Sequence, residues 1–106
     1  MNIAQMMKQA QVMQQRMQEM QDRLAETEVD GASGGGMVSV VMTCKGEVRK
    51  VSISPEVINP ADRETLEDLV MAAMNMARQR ADQRLADETR DMMAEMGMPD
   101  NVKLPF

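Results

Sequence analysis

The chain has 106 residues, 43% of them hydrophobic, which suits one domain with a small core, so dimerisation is expected from the outset. It has no histidine and one cysteine, which excludes a His-based catalytic dyad, a His/Cys zinc site and an intrachain disulfide, and fits a reducing cytosol. The net charge of -5 argues against a polyanionic partner, although screening beyond about 8–10 Å leaves room for a local basic patch.

The first predicted element is a helix over about residues 2–26. Its apolar residues alternate in steps of three and four, without Gly or Pro, and form a heptad seam: Ile3, Met6, Ala10, Met13, Met17, Met20 and Leu24. Two interpretations stay open, because the seam can pack on the protein's own sheet or can meet another helix or a partner chain. No apolar stretch is long enough to span a bilayer, so we expect a soluble cytoplasmic protein with no membrane partner.

Residues 28–36 contain four glycines and are either an edge strand with a turn or a flexible connector. They lack the Gly-Lys-Ser/Thr and Gly-x-Gly-x-x-Gly contexts of phosphate-binding loops, and they lead into a strand. Residues 37–44 and 47–54 are rich in β-branched side chains and flank Lys45-Gly46, which is typical of a β-hairpin that Pro55 ends. Its expected core face carries Val38, Val40, Met42, Cys44, Val51 and Ile53.

A longer second helix is expected over about residues 60–96, because Asn59 suits an N-cap and Pro60 suits the first helical position. A run of alanines on its apolar face would let another backbone approach closely. We therefore expect a dimer interface that combines this helix with the sheet and uses Leu66, Leu69, Val70, Ala73, Ala77 and Ala81. Residues 97–106 have the composition of an irregular tail.

The sequence offers no catalytic constellation, so neither an enzyme nor a metal, cofactor or small-molecule substrate is expected. Many carboxylates have a basic residue at i,i+4 spacing and are predicted to form ordinary surface pairs, as in Arg63 with Glu67, Arg78 with Asp82 and Arg84 with Glu88. Cys44 has no histidine to activate it and lies on the expected core face of its strand.

Binding is the better-supported class, and the candidate basic residues fall into three groups. They are Lys8, Arg16 and Arg23 on the first helix, Lys45, Arg49 and Lys50 at the hairpin, and Arg80 and Arg84 on the second helix. Seven glutamines accompany the first group and can donate to phosphate or to base edges without adding charge. Each of these residues also fits an ordinary solvated surface, so the residues alone indicate only a soluble α/β dimer candidate with an interaction helix.

Five short motifs follow one another along nearly the whole chain. They are Met6-Met7-Lys8-Gln9-Ala10-Gln11 with Met13-Gln14 and Met17; Val29-x-Gly31-x-Ser33-Gly34-Gly35-Gly36-Met37-Val38; Gly46 before Val51-x-Ile53-x-Pro55; Leu66-Glu67-Asp68-Leu69-Val70 followed by Ala72-Ala73-x-Asn75; and Lys103-Leu104-Pro105-Phe106. In this order and spacing they resemble the YbaB/EbfC family of nucleoid-associated proteins.

The resemblance implies an α+β homodimer in which residues 1–106 form one two-layer domain. Its elements are a helix over about 2–26, three antiparallel strands over about 28–33, 37–44 and 47–54, a long helix over about 60–96, and a tail over 97–106. It also implies binding to double-stranded DNA in the nucleoid, within the cytoplasm, with an influence on chromosome organisation and gene expression. The family has no motif of contact residues, so the eight basic residues named above are electrostatic predictions, with those of the first helix ranked first.

The acidic balance predicts modest, strongly salt-sensitive DNA binding. The alternative is a protein-interaction module that docks a replication or recombination partner on the methionine-rich seam of the first helix. The two functions differ in their response to salt, because contacts with phosphate weaken steeply as salt is added and apolar docking does not.

Overall fold

The computed structural model of the protein describes residues 2–97. The helices are α1 (Ile3–Glu26) and α2 (Arg63–Glu95), and the strands are β1 (Glu28–Ser33), β2 (Val38–Thr43) and β3 (Val48–Ile53). This arrangement confirms the predicted α+β class of helix, three-stranded antiparallel sheet and long helix. Of the predicted tail, all but Gly97 lies outside the described residues.

An asparagine side chain caps the start of α1, and another caps the short 3-10 turn that precedes α2. The side chain of Asn2 accepts a hydrogen bond from the backbone N–H of Ala4 at 3.0 Å and caps α1. Asn59 accepts one from Ala61 at 3.0 Å, but it caps a short 3-10 turn over Pro60–Asp62, after which the α-helix begins at Arg63. The caps satisfy N–H groups that have no partner within the helix.

The sheet has the order β1-β2-β3, with β2 in the centre and both pairings antiparallel. In the register of the sheet, Val40 of β2 lies between Gly31 of β1 and Val51 of β3. The glycine-rich segment, which the residues alone left open, is thus a strand followed by a turn over Gly34–Gly36. A register shift between Val41 and Met42 interrupts the pairing of β2 with β3.

The first core lies between α2 and the sheet. It is formed by the buried side chains of Val38, Val40, Met42, Ala73 and Ala77. The backbones of β1 and α2 meet at Gly31, where an added Cβ would lie only 2.5 Å from the backbone nitrogen of Ala77. The close approach that the alanine run predicted is therefore made by a strand of the same chain.

The second core joins α1 to α2 and consists of Met20, Leu24 and Met92, with Met17 and Leu85 partly buried beside it. Only the C-terminal part of the methionine seam is packed in this way, and its partner is α2.

The N-terminal part of α1 lies in solvent. Ile3, Met6 and Met7 are 73%, 51% and 60% exposed. We call residues 3–15 the arm; at 1.5 Å per residue it is about 20 Å long. The arm contributes to an elongated protein, which measures 70 × 23 × 17 Å.

Candidate nucleic-acid interface

The arm carries the first of the predicted DNA-contact residues. Lys8 is exposed, and no carboxylate of residues 2–97 pairs with it. Lys8 lines an open depression of about 450 Å³ together with Gln5, Gln9, Val12 and Met96. Residues 2–18 contain two basic residues, Lys8 and Arg16, and no acidic residue. This stretch therefore has a net positive charge in a protein whose overall charge is negative.

The other two predicted contacts on α1 are held by carboxylates of α2. The Nη1 atom of Arg16 lies 2.7 Å from Oε2 of Glu95, and Nε of Arg23 lies 3.2 Å from Oε2 of Glu88. Both pairs follow from the antiparallel packing of the two helices. Arg23 lies seven residues after Arg16 on α1, and its partner Glu88 lies seven residues before Glu95 on α2. These guanidinium groups are close to the arm, but their charges are already balanced.

The three basic residues predicted at the hairpin differ in their partners, because the arginine lies near carboxylates and, within residues 2–97, the two lysines do not. Arg49 lies 3.3–3.6 Å from carboxylate oxygens of Glu26, Glu28 and Glu47. Desolvation lowers the pKa of Arg49, but its hydrogen bond to Glu47 and the nearby negative charges outweigh this effect, so the net pKa is raised and the group stays charged.

The two lysines near the hairpin have no carboxylate partner within residues 2–97. The Nζ of Lys45 donates to Oε1 of Gln21 on α1. Lys50 is exposed and lies opposite Val41 in the register, on the sheet face that points away from α2.

The predicted contacts on α2 also hold elements together. Arg80 donates to the backbone oxygen of Asp30 at 3.0 Å and lies 3.4 Å from its carboxylate, which ties α2 to β1. Arg84 lies 3.4 Å from Glu88, the same carboxylate that Arg23 contacts. Glu88 thus bridges an arginine of α1 and an arginine of α2.

Local spacing in the sequence predicts three ion pairs within α2, but it predicts none of the pairs between elements. The predicted i,i+4 pairs all form, with distances of 3.8 Å for Arg63 with Glu67, 3.2 Å for Arg78 with Asp82 and 3.4 Å for Arg84 with Glu88. The pairs Arg16–Glu95 and Arg23–Glu88 join residues 79 and 65 positions apart. Local spacing carries no signal for them, since they depend on how α1 and α2 pack.

The residues predicted for a dimer interface occupy two environments. Ala73, Ala77 and Ala81 are covered by the protomer itself, with at most 1% of each residue exposed. Leu66, Leu69 and Val70 are partly buried and pack against the first core. The dimer interface stays a prediction.

Other exposed apolar side chains lie beside the sheet. Val48, Val51 and Met74 are 41%, 50% and 38% exposed. Val51 pairs with the buried Val40 and so faces the α2 side of the sheet, but α2 lies mainly over β1 and β2. Met74 is one turn before Arg78, whose side chain approaches Gly46 in the β2–β3 connection. We call these three exposed apolar residues, two on β3 and one on α2, the β3 strip.

Metal ligands and the cysteine are the other groups of the described residues that could carry chemistry. Residues 2–97 contain no group of three His, Cys, Asp or Glu side chains placed to hold a metal ion. Cys44 is partly buried, and its pKa is raised mainly by burial, with Arg84 lowering it and Glu88 raising it. Within residues 2–97, neither α1 nor α2 contains an apolar stretch of the length that a membrane span requires.

The described residues form a small α+β protein whose first helix carries an exposed lysine. A profile of the YbaB/EbfC DNA-binding family matches residues 1–96. The chain is 49% identical over 105 residues to the nucleoid-associated protein RC1_2305 of Rhodospirillum centenum. The aligned residues cover 99% of this chain and 98% of that protein. The chain therefore belongs to the YbaB/EbfC DNA-binding family, as the sequence motifs predicted.

A solved structure supports the fold independently. The crystal structure of the uncharacterized protein HP0035 from Helicobacter pylori matches with a TM-score of 0.78, covering 88% of this chain and 98% of that chain. The two sequences are 22% identical, so this likeness concerns the fold alone.

Proposed function

We propose that the protein is a non-enzymatic, homodimeric DNA-binding protein of the bacterial nucleoid that influences chromosome organisation and gene expression. Its family and the name of its relative from Rhodospirillum centenum support this proposal. Double-stranded DNA is the proposed partner, and the arm is its principal contact.

The observation that carries the proposal is the charge and exposure of the arm. Lys8 lies on an exposed helix and has no carboxylate partner within residues 2–97, and residues 2–18 contain no carboxylate that would repel a phosphate. The exposed glutamines around it, including Gln5 and Gln9, can donate to phosphate oxygens or to base edges. A single helix also fits the major groove of B-DNA, which is about 12 Å wide.

The remaining predicted contacts can be ranked by whether a carboxylate already pairs with the basic side chain, because a paired cation is less available to a phosphate. Lys50 is exposed, and among the described residues the ammonium group of Lys45 bonds to a glutamine and not to a carboxylate, so both lysines can add contacts at the hairpin. The five arginines of the predicted site all lie near carboxylates and would first have to exchange partners: Arg16, Arg23, Arg49, Arg80 and Arg84. We therefore place Lys8 first and the lysines of the hairpin second.

The homodimer is proposed to use the β3 strip in addition to Leu66, Leu69 and Val70. An apolar surface beside an edge strand favours association, because it is removed from water when a second copy covers it. In this arrangement Ala73, Ala77 and Ala81 act indirectly, by holding α2 against β1. Two copies would carry two arms, which multiplies the phosphate contacts available to one duplex.

The test is a titration of labelled duplex DNA with the purified protein, followed by fluorescence anisotropy at several salt concentrations up to about 0.15 M. Each phosphate contact adds about 0.9 to the slope of log affinity against log salt. Lys8→Gln should weaken binding and reduce the slope by about 0.9 for each engaged arm. Arg63→Gln is the matched control, since it removes one charge from an exposed side chain at the far end of α2.

The control should leave the slope unchanged. If wild-type protein shows no binding at the lowest salt, direct DNA binding is wrong for this protein. If Lys8→Gln and Arg63→Gln have equal effects, the arm is not the contact.

The second candidate function is the docking of a replication or recombination protein on the arm. It is favoured by the exposure of Ile3, Met6 and Met7, because methionine-rich helices suit adaptable apolar interfaces. Such a complex would persist as salt is added, whereas a complex held by phosphate contacts would dissociate.

A further inference from the structure

A cleft of about 350 Å³ lies between α1 and α2 at the base of the arm. It is lined by Arg16, Glu19, Met20, Arg23, Glu88, Asp91, Met92 and Glu95. Two arginines thus face four carboxylates, and the polar lining has a net charge of two negative units. A phosphate entering this cleft would meet repulsion as well as attraction.

The two arginines are engaged at hydrogen-bonding distance by α2. Arg16 contacts Glu95 at 2.7 Å, and both side chains are about half exposed, at 48% and 61%. Arg23 contacts Glu88 at 3.2 Å, and the Glu88 side chain is only 13% exposed and also reaches Arg84. A guanidinium group binds a carboxylate and a phosphate through the same N–H donors, so the two anions compete for it.

We infer that Glu88 and Glu95 are intramolecular competitors of phosphate, which keep Arg16 and Arg23 from contributing fully to DNA binding. This inference rests on the proposed function and names the residues that limit the affinity of the same site. In this arrangement the arm with Lys8 makes the first contact with DNA. Arg16 and Arg23 join only when a backbone phosphate displaces a carboxylate.

The ion pairs are not needed to hold α1 against α2. Met20, Leu24 and Met92 already bury this contact, and each is at most 5% exposed. The Arg16–Glu95 pair lies at the rim, where solvent screens it and where exchange with another anion is easy. A purely structural pair would change the thermal stability when it is removed and would leave the affinity for DNA unchanged.

The experiment compares Glu95→Gln and the double variant Glu88→Gln/Glu95→Gln with the control Glu64→Gln/Asp68→Asn. The control removes two negative charges at the opposite, exposed end of α2. Duplex binding is measured by anisotropy as a function of salt, and circular dichroism checks that each variant folds. Glu95→Gln serves as the safe variant, because its side chain is mostly exposed.

We expect both test variants to bind DNA more tightly than the wild type and the control. The slope of log affinity against log salt should steepen by about 0.9 for each arginine released in each copy. A fourfold dilution of salt should then raise the affinity by an additional factor of about 3.5 for each such contact. Adding Arg16→Gln to Glu95→Gln should cancel the gain, because the released cation is then absent.

The outcomes separate this inference from the proposed function. If the wild type binds through Lys8 and the test variants bind no better than the control, the inference is wrong and the proposed function stands. If the wild type does not bind DNA but Glu88→Gln/Glu95→Gln does, the competition by carboxylates is supported, and the proposed DNA binding is wrong for the unaltered protein. If no variant binds, both are wrong.

Discussion

Gly31→Ala is predicted to disrupt the contact between β1 and α2. A Cβ at this position would lie 2.5 Å from the backbone nitrogen of Ala77 and 3.0 Å from its Cα, and closer still to the carbonyl oxygen of Ala73. These are backbone atoms, so they cannot rotate away as a side chain would, and α2 itself must shift. Overpacking of a core costs typically 1–3 kcal/mol. Since the obstacle is a helix backbone, we expect Gly31→Ala to lower the free energy of unfolding by about 3 kcal/mol. This net value includes the opposing gain of about 0.4–1 kcal/mol that alanine gives by restricting the unfolded chain.

Chemical denaturation followed by circular dichroism at several protein concentrations measures this loss. For a domain of this size it corresponds to a fall in Tm of roughly 12–24 °C. Gly35→Ala is the matched control, because a Cβ there meets nothing within 4 Å but must adopt a positive φ of 68°, which costs about 1–2 kcal/mol. Should Gly31→Ala prove as stable as the wild type, or more stable than Gly35→Ala, the close approach of α2 to β1 would be wrong.

Two further predictions concern the dimer and the cysteine. Val51→Asp should convert a dimer to a monomer in sedimentation experiments, whereas Ser52→Asp on the opposite face of β3 should leave the dimer intact. If the two variants behave alike, the β3 strip is not part of the dimer interface. The raised pKa of Cys44, caused mainly by burial, favours the thiol over the nucleophilic thiolate. Its alkylation by iodoacetamide should therefore reach half-maximal rate at a higher pH than that of an unstructured cysteine peptide, and a midpoint at or below the peptide's would contradict this reasoning.

The elements of the fold could be predicted because their signals are local. The three-and-four spacing of apolar residues marked α1, and the β-branched runs around Lys45-Gly46 marked the hairpin. The run of alanines also predicted that another backbone approaches α2 closely. It could not show that β1 of the same chain makes this approach, because helix spacing does not depend on the identity of the partner.

The candidate site was less predictable, since the availability of a charge depends on tertiary contacts. Arg16 and Arg23 share one side of α1 and look like a basic patch in the sequence. The structure brings Glu88 and Glu95 onto them from a segment more than 60 residues away. Lys8 looks no more favourable in sequence, yet it lies on the exposed arm with no carboxylate partner in residues 2–97.

The division of partners between arginine and lysine bears on how DNA would be recognised. Every arginine of the chain has a carboxylate oxygen within 4 Å, whereas no lysine within residues 2–97 has one. Arginine and lysine can both contact guanine O6 and N7, but the rigid guanidinium fork fixes the geometry of that contact, whereas a lysine acts as a flexible point charge that also suits phosphate. The available cations therefore favour contacts with the backbone, which carry no sequence information. Any base preference of the unaltered protein would then come from the glutamines of the arm, which can pair with adenine. Release of Arg16 or Arg23 would change both the affinity and the specificity.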